Sequence, residues 1–273
     1  MAQKAQEDKT PLSLFRGKSY GKACMKNIRR QKGHKAGTRD WFDNWSNEYD
    51  QTLGSIGFHR ELLDLVVRHA GARRGDRVLD IGCGTGLLSL RFVKKGCRVY
   101  GIDNSDKMLD IFRDKLKRLG IERDVECRHM DAAAARLPRA GFDIVVSSVT
   151  LHHLKNKSGL IKKVYNALRP GGSFIIGEID MDTTGRHTDV RRLRRILNIL
   201  EREWIPALKD AGVEAFVKMY DNGKKHILNQ GEYCLSIRQW AGLCRAAGFG
   251  AVKVKLSPRC GVFGIVIAKK QLD

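Results

Sequence analysis

Residues Asp80 to Gly86 read D-I-G-C-G-T-G, a carboxylate followed by three glycines at alternate positions. Glycines at this spacing let a backbone approach a ligand closely. Val78, Leu79 and Ile81 read as the end of a buried strand, and Leu87-Leu88-Ser89-Leu90 as a helix starting at once. A strand, a glycine loop and a helix N-terminus in that order make a nucleotide-type cradle. Gly82, Gly84 and Gly86 are its candidate walls, and Asp80 is placed to face a cationic ligand. The spacing G-x-G-x-G departs from the G-x-G-x-x-G dinucleotide fingerprint, which disfavours a nicotinamide oxidoreductase. Asp103 closes a second strand pattern, Arg98–Ile102, about 20 residues past the loop, where a carboxylate can accept from both ribose hydroxyls. Asn104 beside it joins the candidates, and the plainer reading of Asp103 is a cap for a helix starting at Ser105.

The elements that must hold these residues alternate along the chain. Val125–His129 reads as a third strand, ending in Met130-Asp131-Ala132. Phe142–Ser148 reads as a fully buried fourth, Leu168–Gly172 as a turn, and Ser173–Glu178 as a fifth. Ala251–Leu256 and Val262–Ala268 read as two more, joined through Pro258 and Gly261. Trp41–Asp50 is an aromatic segment, and Leu62, Leu63, Leu65, Val66 and Val67 mark a helix ending near Gly71. Between the fifth and sixth strands, Val190, Leu193, Ile196, Leu197, Leu200 and Trp204 recur at helical spacing and predict a buried stripe. Arg191, Arg192, Arg194 and Arg195 flank that stripe, and Lys224-Lys225-His226 reads as a loop. Ser236 reads as the cap of a later helix that turns Ile237, Trp240, Leu243, Cys244 and Ala247 inward.

Taken in order, Asp80–Gly86, Asp103, Asp131, the fourth strand and Leu168-Arg169-Pro170-Gly171-Gly172 resemble the class I S-adenosylmethionine (SAM) dependent methyltransferases. Within them the chain resembles the small-molecule branch that includes the ubiquinone/menaquinone biosynthesis methyltransferases. The resemblance implies an α/β fold: a Rossmann-like, seven-stranded, mostly parallel sheet with helices on both faces and the last strand antiparallel. It implies a catalytic domain over 41–273, with 180–230 as a helical lid over the acceptor. SAM would be the cofactor, with Tyr49 packing over it, Asp131 and Ala132 at the adenine and Ser148 beside the loop. SAM carries an electrophilic methyl carbon, so the protein mainly positions, desolvates and sometimes deprotonates the acceptor. His152, His153 and Glu178, at the C-terminal ends of the fourth and fifth strands, are the candidate catalytic groups, with Asp180 next. Ser147-Ser148-Val149-Thr150 replaces the Asn/Asp-Pro-Pro-Tyr of enzymes that methylate exocyclic amino groups of bases, which argues against that chemistry. The leading expectation is methyl transfer to a small-molecule acceptor. An RNA methyltransferase and a catalytically idle RNA-binding module are the alternatives.

Charge keeps the alternatives open. Lys and Arg number 51 against 30 Asp and Glu, a net charge of +21. The excess is +8 in residues 1–40, +5 in 41–181 and +8 in 182–273. A basic arm over 1–40, densest at Lys26–Lys35 and with Phe15 and Tyr20 for stacking, suits RNA or an anionic membrane face; a solvated basic surface accounts for it equally. No apolar signal region or membrane-spanning stretch is present, and Glu7 and Asp8 argue against a transit peptide, so a cytoplasmic protein is expected. The seven cysteines (24, 83, 97, 127, 234, 244, 260) form no C-x-x-C pair, so free thiols and no metal site are expected.

Overall fold

The computed structural model describes residues 38–272 apart from 229 and 260. Nearly all of the basic segment, with Phe15, Tyr20 and Cys24, therefore lies outside the described residues, as does Cys260.

Seven strands form one sheet in the order β3-β2-β1-β4-β5-β7-β6. They are β1 (Arg77–Ile81), β2 (Arg98–Asp103), β3 (Val125–His129), β4 (Phe142–Ser148), β5 (Leu168–Ile179), β6 (Ala251–Leu256) and β7 (Phe263–Lys269). β1 to β5 pair in parallel, and β7 runs antiparallel between β5 and β6. The expected sheet is thus present, with its antiparallel strand. Leu168–Gly172 is not a separate turn. It belongs to β5, where the pairing with β4 shifts register between Phe142 and Ile144. A bulge absorbs the Pro-Gly-Gly while the strand continues.

Helices cover both faces: α1 (Thr38–Ser55), α2 (Gly57–Ala70), α3 (Ser89–Val93), α4 (Asp106–Leu119), α5 (Lys157–Ala167), α6 (Val190–Leu228) and α7 (Ile237–Ala246). Alternate residues of each strand feed opposite cores, as the period of two requires. Val78, Ile144, Val146 and Ile175 pack with α1, α2 and α6. Leu79, Val145, Phe174 and Ile176 pack with α5 and α7. α2 ends at Gly71, which adopts the left-handed conformation (φ 65°) that closes a helix. Ser236 and Gln239 form the reciprocal capping box of α7. The helix after the glycine loop begins at Ser89 rather than Leu87 and is only five residues long. The five described cysteines are free, and no described helix is long and apolar enough to cross a membrane.

The insertion is a helical hairpin. α6 is interrupted at Gly212 (φ 79°, ψ −174°), a conformation that essentially only glycine adopts. The Arg192 guanidinium reaches the carbonyls of His226 and Ile227 at 3.1 and 3.0 Å. Along one straight helix those residues would lie about 50 Å apart, so the two limbs must run antiparallel. Trp204 Nε1 donates to Met219 O across the same gap. Arg192 is therefore buried, not a flanking surface cation. It takes up carbonyls that a helix end leaves without intrahelical partners, and also Thr183 O at 2.8 Å. The buried stripe is rotated accordingly, to Arg192, Ile196, Leu200, Glu203 and Ala207, with Val190 and Leu197 exposed. Lys224-Lys225-His226 is helical, not a loop, and Lys225 Nζ sits 3.7 Å from the Trp41 ring centroid. Asp210 on the first limb accepts from Gly57 N at 2.7 Å and so ties the hairpin to the start of α2.

A Cβ on Gly212 would meet no atom within 4 Å, so only backbone strain opposes a side chain there. That strain, about 1–3 kcal/mol, should lower the Tm of Gly212→Ala by about 3–9 °C. A melting point within a degree of the parent protein would refute the account of the hairpin turn.

Candidate active site

The glycine loop is assembled from three sides. Gly82, Gly84 and Gly86 all have positive φ. A Cβ at Gly82 would collide with the Thr150 side chain and one at Gly86 with Phe112, whereas at Gly84 it would meet nothing within 4 Å. Gly84 therefore presents the loop's open side. Asp103 accepts from Gly84 N at 2.8 Å and from Ser105 N at 2.9 Å, so the end of β2 holds the loop. Capping of α4 falls to the Ser105 hydroxyl, which accepts from Met108 N. Asp80 is buried, and Ser89 Oγ donates to it at 2.6 Å. Burial raises its pKa to about 7 against the opposing Ser89 hydrogen bond.

α1 closes over the loop. Thr85 Oγ1 donates to Asp50 Oδ1 at 2.5 Å, Lys115 pairs with Asp50, and Lys115 Nζ donates to Thr85 O at 2.7 Å. Asp43 accepts from the Ser105 hydroxyl at 2.5 Å. Neither carboxylate was among the sequence candidates. Their signal was position, about two turns apart on one face of an aromatic helix, and it carries no motif. Tyr49, Asp80, Gly82, Gly84 and Ser148 line one cavity with His59, Cys83 and Thr85. Ser148 Oγ is buried there without a hydrogen-bond partner. Gly86, Asp103, Asn104, Asp131 and Ala132 do not line it. Asn104 and Asp131 are exposed at the ends of β2 and β3, Asp131 accepting from Ala133 N at 2.8 Å and Ala132 half-buried.

A second cavity adjoins the first, and Tyr49 and His59 line both. Its walls are Phe42, Trp45, Phe58, Met219 and Phe263, and its polar end holds His152, His153, Glu203 and His226. The open space is about 40 Å³, room for a few waters, so a larger occupant requires the hairpin to shift. Of the three catalytic candidates, His152 and His153 line this cavity, and Glu178 lies behind His152 without lining it. Val149, with φ 50°, is a β-branched residue in a costly conformation that re-aims the chain after β4. Glu178 accepts from Thr150 N and Leu151 N at 3.0 and 2.7 Å, and its second oxygen lies 2.7 Å from His152 Nδ1. His152 Nε2 and His153 Nδ1 each lie 3.1 Å from the same oxygen of Glu232. Burial opposes a charge on His152, but the Glu178 and Glu232 carboxylates outweigh it and raise its pKa to about 10. His153 is pushed down by burial and by His152. Burial raises Glu203 to about 8.

Glu203, His226 and Glu232 were not sequence candidates. Glu203 was legible as a carboxylate at helical spacing within an apolar stripe, Leu200-Glu203-Ala207. His226 was hidden by reading its segment as a loop. Glu232 lies in an irregular segment with no pattern, and only the fold brings it to His152.

Residues 79–176 match the family Methyltransf_11, described as a methyltransferase domain. That segment is similar to the methyltransferase domains of the class I SAM-dependent enzymes. The chain is 32% identical over 142 residues to the ubiquinone/menaquinone biosynthesis C-methyltransferase UbiE of Cronobacter sakazakii, covering 50% of this chain and 57% of that protein. UbiE of Escherichia coli matches at the same identity and coverage. The chain thus spans little more than half the length of these curated relatives. Among solved structures, a chain of the Haloferax volcanii complex of the Trm112 methyltransferase activator and a methyltransferase superposes with TM-score 0.64 at 16% identity, covering 86% of this chain and 100% of that one. The Burkholderia thailandensis 1,6-didemethyltoxoflavin-N1-methyltransferase, solved with 1,6-didemethyltoxoflavin and S-adenosylhomocysteine, gives 0.57 at 19%, covering 85% and 87%. These likenesses establish the fold. The cofactor of the domain is SAM, and the open side of Gly84 and the unpartnered Ser148 hydroxyl fit it.

Two outcomes follow from the loop. Asp103→Ala removes the acceptor that holds Gly84, so calorimetry should give SAM binding about 10–100-fold weaker, a larger loss than for Asp80→Ala; unchanged affinity in both would overturn the site. Asp80 has its pKa raised on folding, so its contribution to stability is full below about pH 4 and is lost as pH rises through about 7. The ligand-free protein should therefore lose more Tm between pH 5.5 and 8.5 than Asp80→Asn does, and parallel melting curves would refute this.

Proposed function

We propose that the protein transfers the methyl group of SAM to a small aromatic acceptor carrying an ionisable group, held in the cavity beneath the α6 hairpin. The observation that carries this reading is the shared wall: Tyr49 and His59 line both the glycine-loop cavity and the aromatic cavity. In-line displacement needs donor and acceptor side by side in a dry, fixed geometry. SAM, when bound, supplies an electrophilic methyl carbon. The chain's own residues do the rest. Asp80, Asp103 and Gly84 hold the cofactor, with Asn104, Asp131, Ala132 and Gly86 supporting that end of the sheet. The rings of Phe42, Trp45 and Tyr49, which meet at centroid distances of 5.0–6.5 Å, stack the acceptor and exclude water. The His153 end of the cavity receives the acceptor's ionisable group. His152, enclosed between two carboxylates, orients that end rather than taking a proton itself.

The enclosed cavity favours a small acceptor over an RNA base on a strand. The burial of Arg192 and the stacking of Lys225 on Trp41 also remove two of the cations that a phosphate-gripping hairpin would use.

Incubation with methyl-tritiated SAM and a fractionated cell extract, with and without ribonuclease, tests the proposal. Label should appear in low-molecular-weight or lipid material and survive ribonuclease. Label confined to ribonuclease-sensitive material would replace this reading with RNA methylation.

A further inference from the structure

His152, His153 and Glu232 place one donor atom each within 4.8 Å of one another, in the interior. Both carboxylate oxygens of Glu232 are buried without a hydrogen-bond partner, as are both ring nitrogens of His153. Glu232 is fully enclosed. Its contacts to the two imidazoles, both at 3.1 Å, have the length of an ion pair but not the alignment of a hydrogen bond. A buried carboxylate is held best by well-aligned donors, and here the two imidazoles supply charge without that alignment.

We propose that His152 Nε2, His153 Nδ1 and a Glu232 carboxylate oxygen bind a divalent first-row metal ion of the zinc class at the polar end of the acceptor cavity. The spacing suits it. Ligands of a tetrahedral zinc at 2.0–2.2 Å lie about 3.3 Å from each other, close to the 3.1 Å seen on either side of Glu232. The surroundings suit it further. A metal-bound imidazole usually gives its other N–H to a carboxylate, which fixes the tautomer and makes the ring a better donor. His152 Nδ1 lies 2.7 Å from Glu178 Oε2, and Glu178 is itself held by two backbone N–H groups. Binding of the ion would displace the proton that Nε2 holds towards Glu232, while Nδ1 keeps its proton on Glu178. Two histidines and one carboxylate leave a coordination position open, as catalytic rather than structural zinc sites do. His152 and His153 also line the aromatic cavity, so the ion would border it. His226 Nδ1, 3.6 Å from Glu232, also lies 3.4 Å from the Cys234 sulfur and borders the cluster without joining it. An acceptor hydroxyl bound to the ion would have its pKa lowered, which is the service a general base would otherwise perform. Cysteine spacing gave no sign of this site, because its ligands are an adjacent histidine pair and a glutamate some eighty residues later in sequence.

Metal binding is read without turnover, so this inference and the methyl-transfer reading fail separately. The full chain is analysed for metal as purified, then stripped and titrated with Zn²⁺ alone against a competing chromophoric chelator. SAM affinity is measured by calorimetry on the same samples. One equivalent of zinc is expected. Glu232→Gln and His153→Ala should weaken it at least about tenfold, and Glu178→Gln about 10–100-fold. His187→Ala, an exposed histidine away from the cluster, should leave it unchanged. SAM binding should persist in Glu232→Gln, His153→Ala and His187→Ala. A stripped wild type that takes up no zinc, or a Glu232→Gln protein that binds it as tightly as wild type, overturns the site. Should a variant lose SAM binding as well, zinc K-edge absorption of the loaded wild type decides. A shell of imidazole nitrogen and oxygen supports the assignment, and a sulfur shell overturns it.

Discussion

A carboxylate with no water around it must find its donors within the protein, and Glu178 finds them on the neighbouring strand. It stands at the end of β5, fully buried, and gathers the amides of Thr150 and Leu151 and the ring of His152. Three hydrogen bonds to one ionised group are strong in a low-dielectric interior and expensive to break. They hold the chain after β4 in the turn that the strained Val149 begins. That turn puts Thr150 against Gly82 and the histidine pair against the aromatic cavity. The glycine-loop cavity and the aromatic cavity are thus set by one interaction.

The hairpin is built to the same logic of satisfied polar groups. Arg192 crosses from the first limb to the carbonyls that end the second, and Gly212 supplies the backbone conformation that brings them together. The irregular segment after it then closes on the turn after β4. Tyr233 N donates to His152 O at 2.7 Å, and Cys234 O accepts from Thr183. Glu232 is carried into the interior by these flanking contacts rather than by any preference of its own. A long basic helix has in this way become a hairpin whose buried face is mostly apolar, with Arg192, Glu203 and His226 set into it.

The basic excess on the C-terminal third therefore divides into two kinds. Arg191, Arg194 and Arg195 remain at the surface, whereas Arg192 and Lys225 are used in packing. Desolvation lowers the pKa of Lys225 to about 8, consistent with an ammonium held over the Trp41 ring rather than in solvent.

What the sequence determined by itself is the cofactor half of the molecule. The glycine loop, Asp80, Asp103 and the alternating strands are local patterns: a positive φ wants glycine, and a strand buried on both faces wants a run of apolar residues. These need no knowledge of distant chain, so the sheet and its cradle were legible. The ends of elements were less so, because bulges and caps depend on neighbours; β5 runs through Pro170, and the helix after the loop starts late. Only the tertiary structure decided the acceptor half. The antiparallel limbs of α6, the burial of Arg192, and the meeting of Glu203, His226 and Glu232 with His152 and His153 depend on contacts between residues tens of positions apart. Helical periodicity sets which residues share a face. It does not set which face turns inward, and that was decided by the orphan carbonyls and buried charges that Arg192 and the histidines had to satisfy.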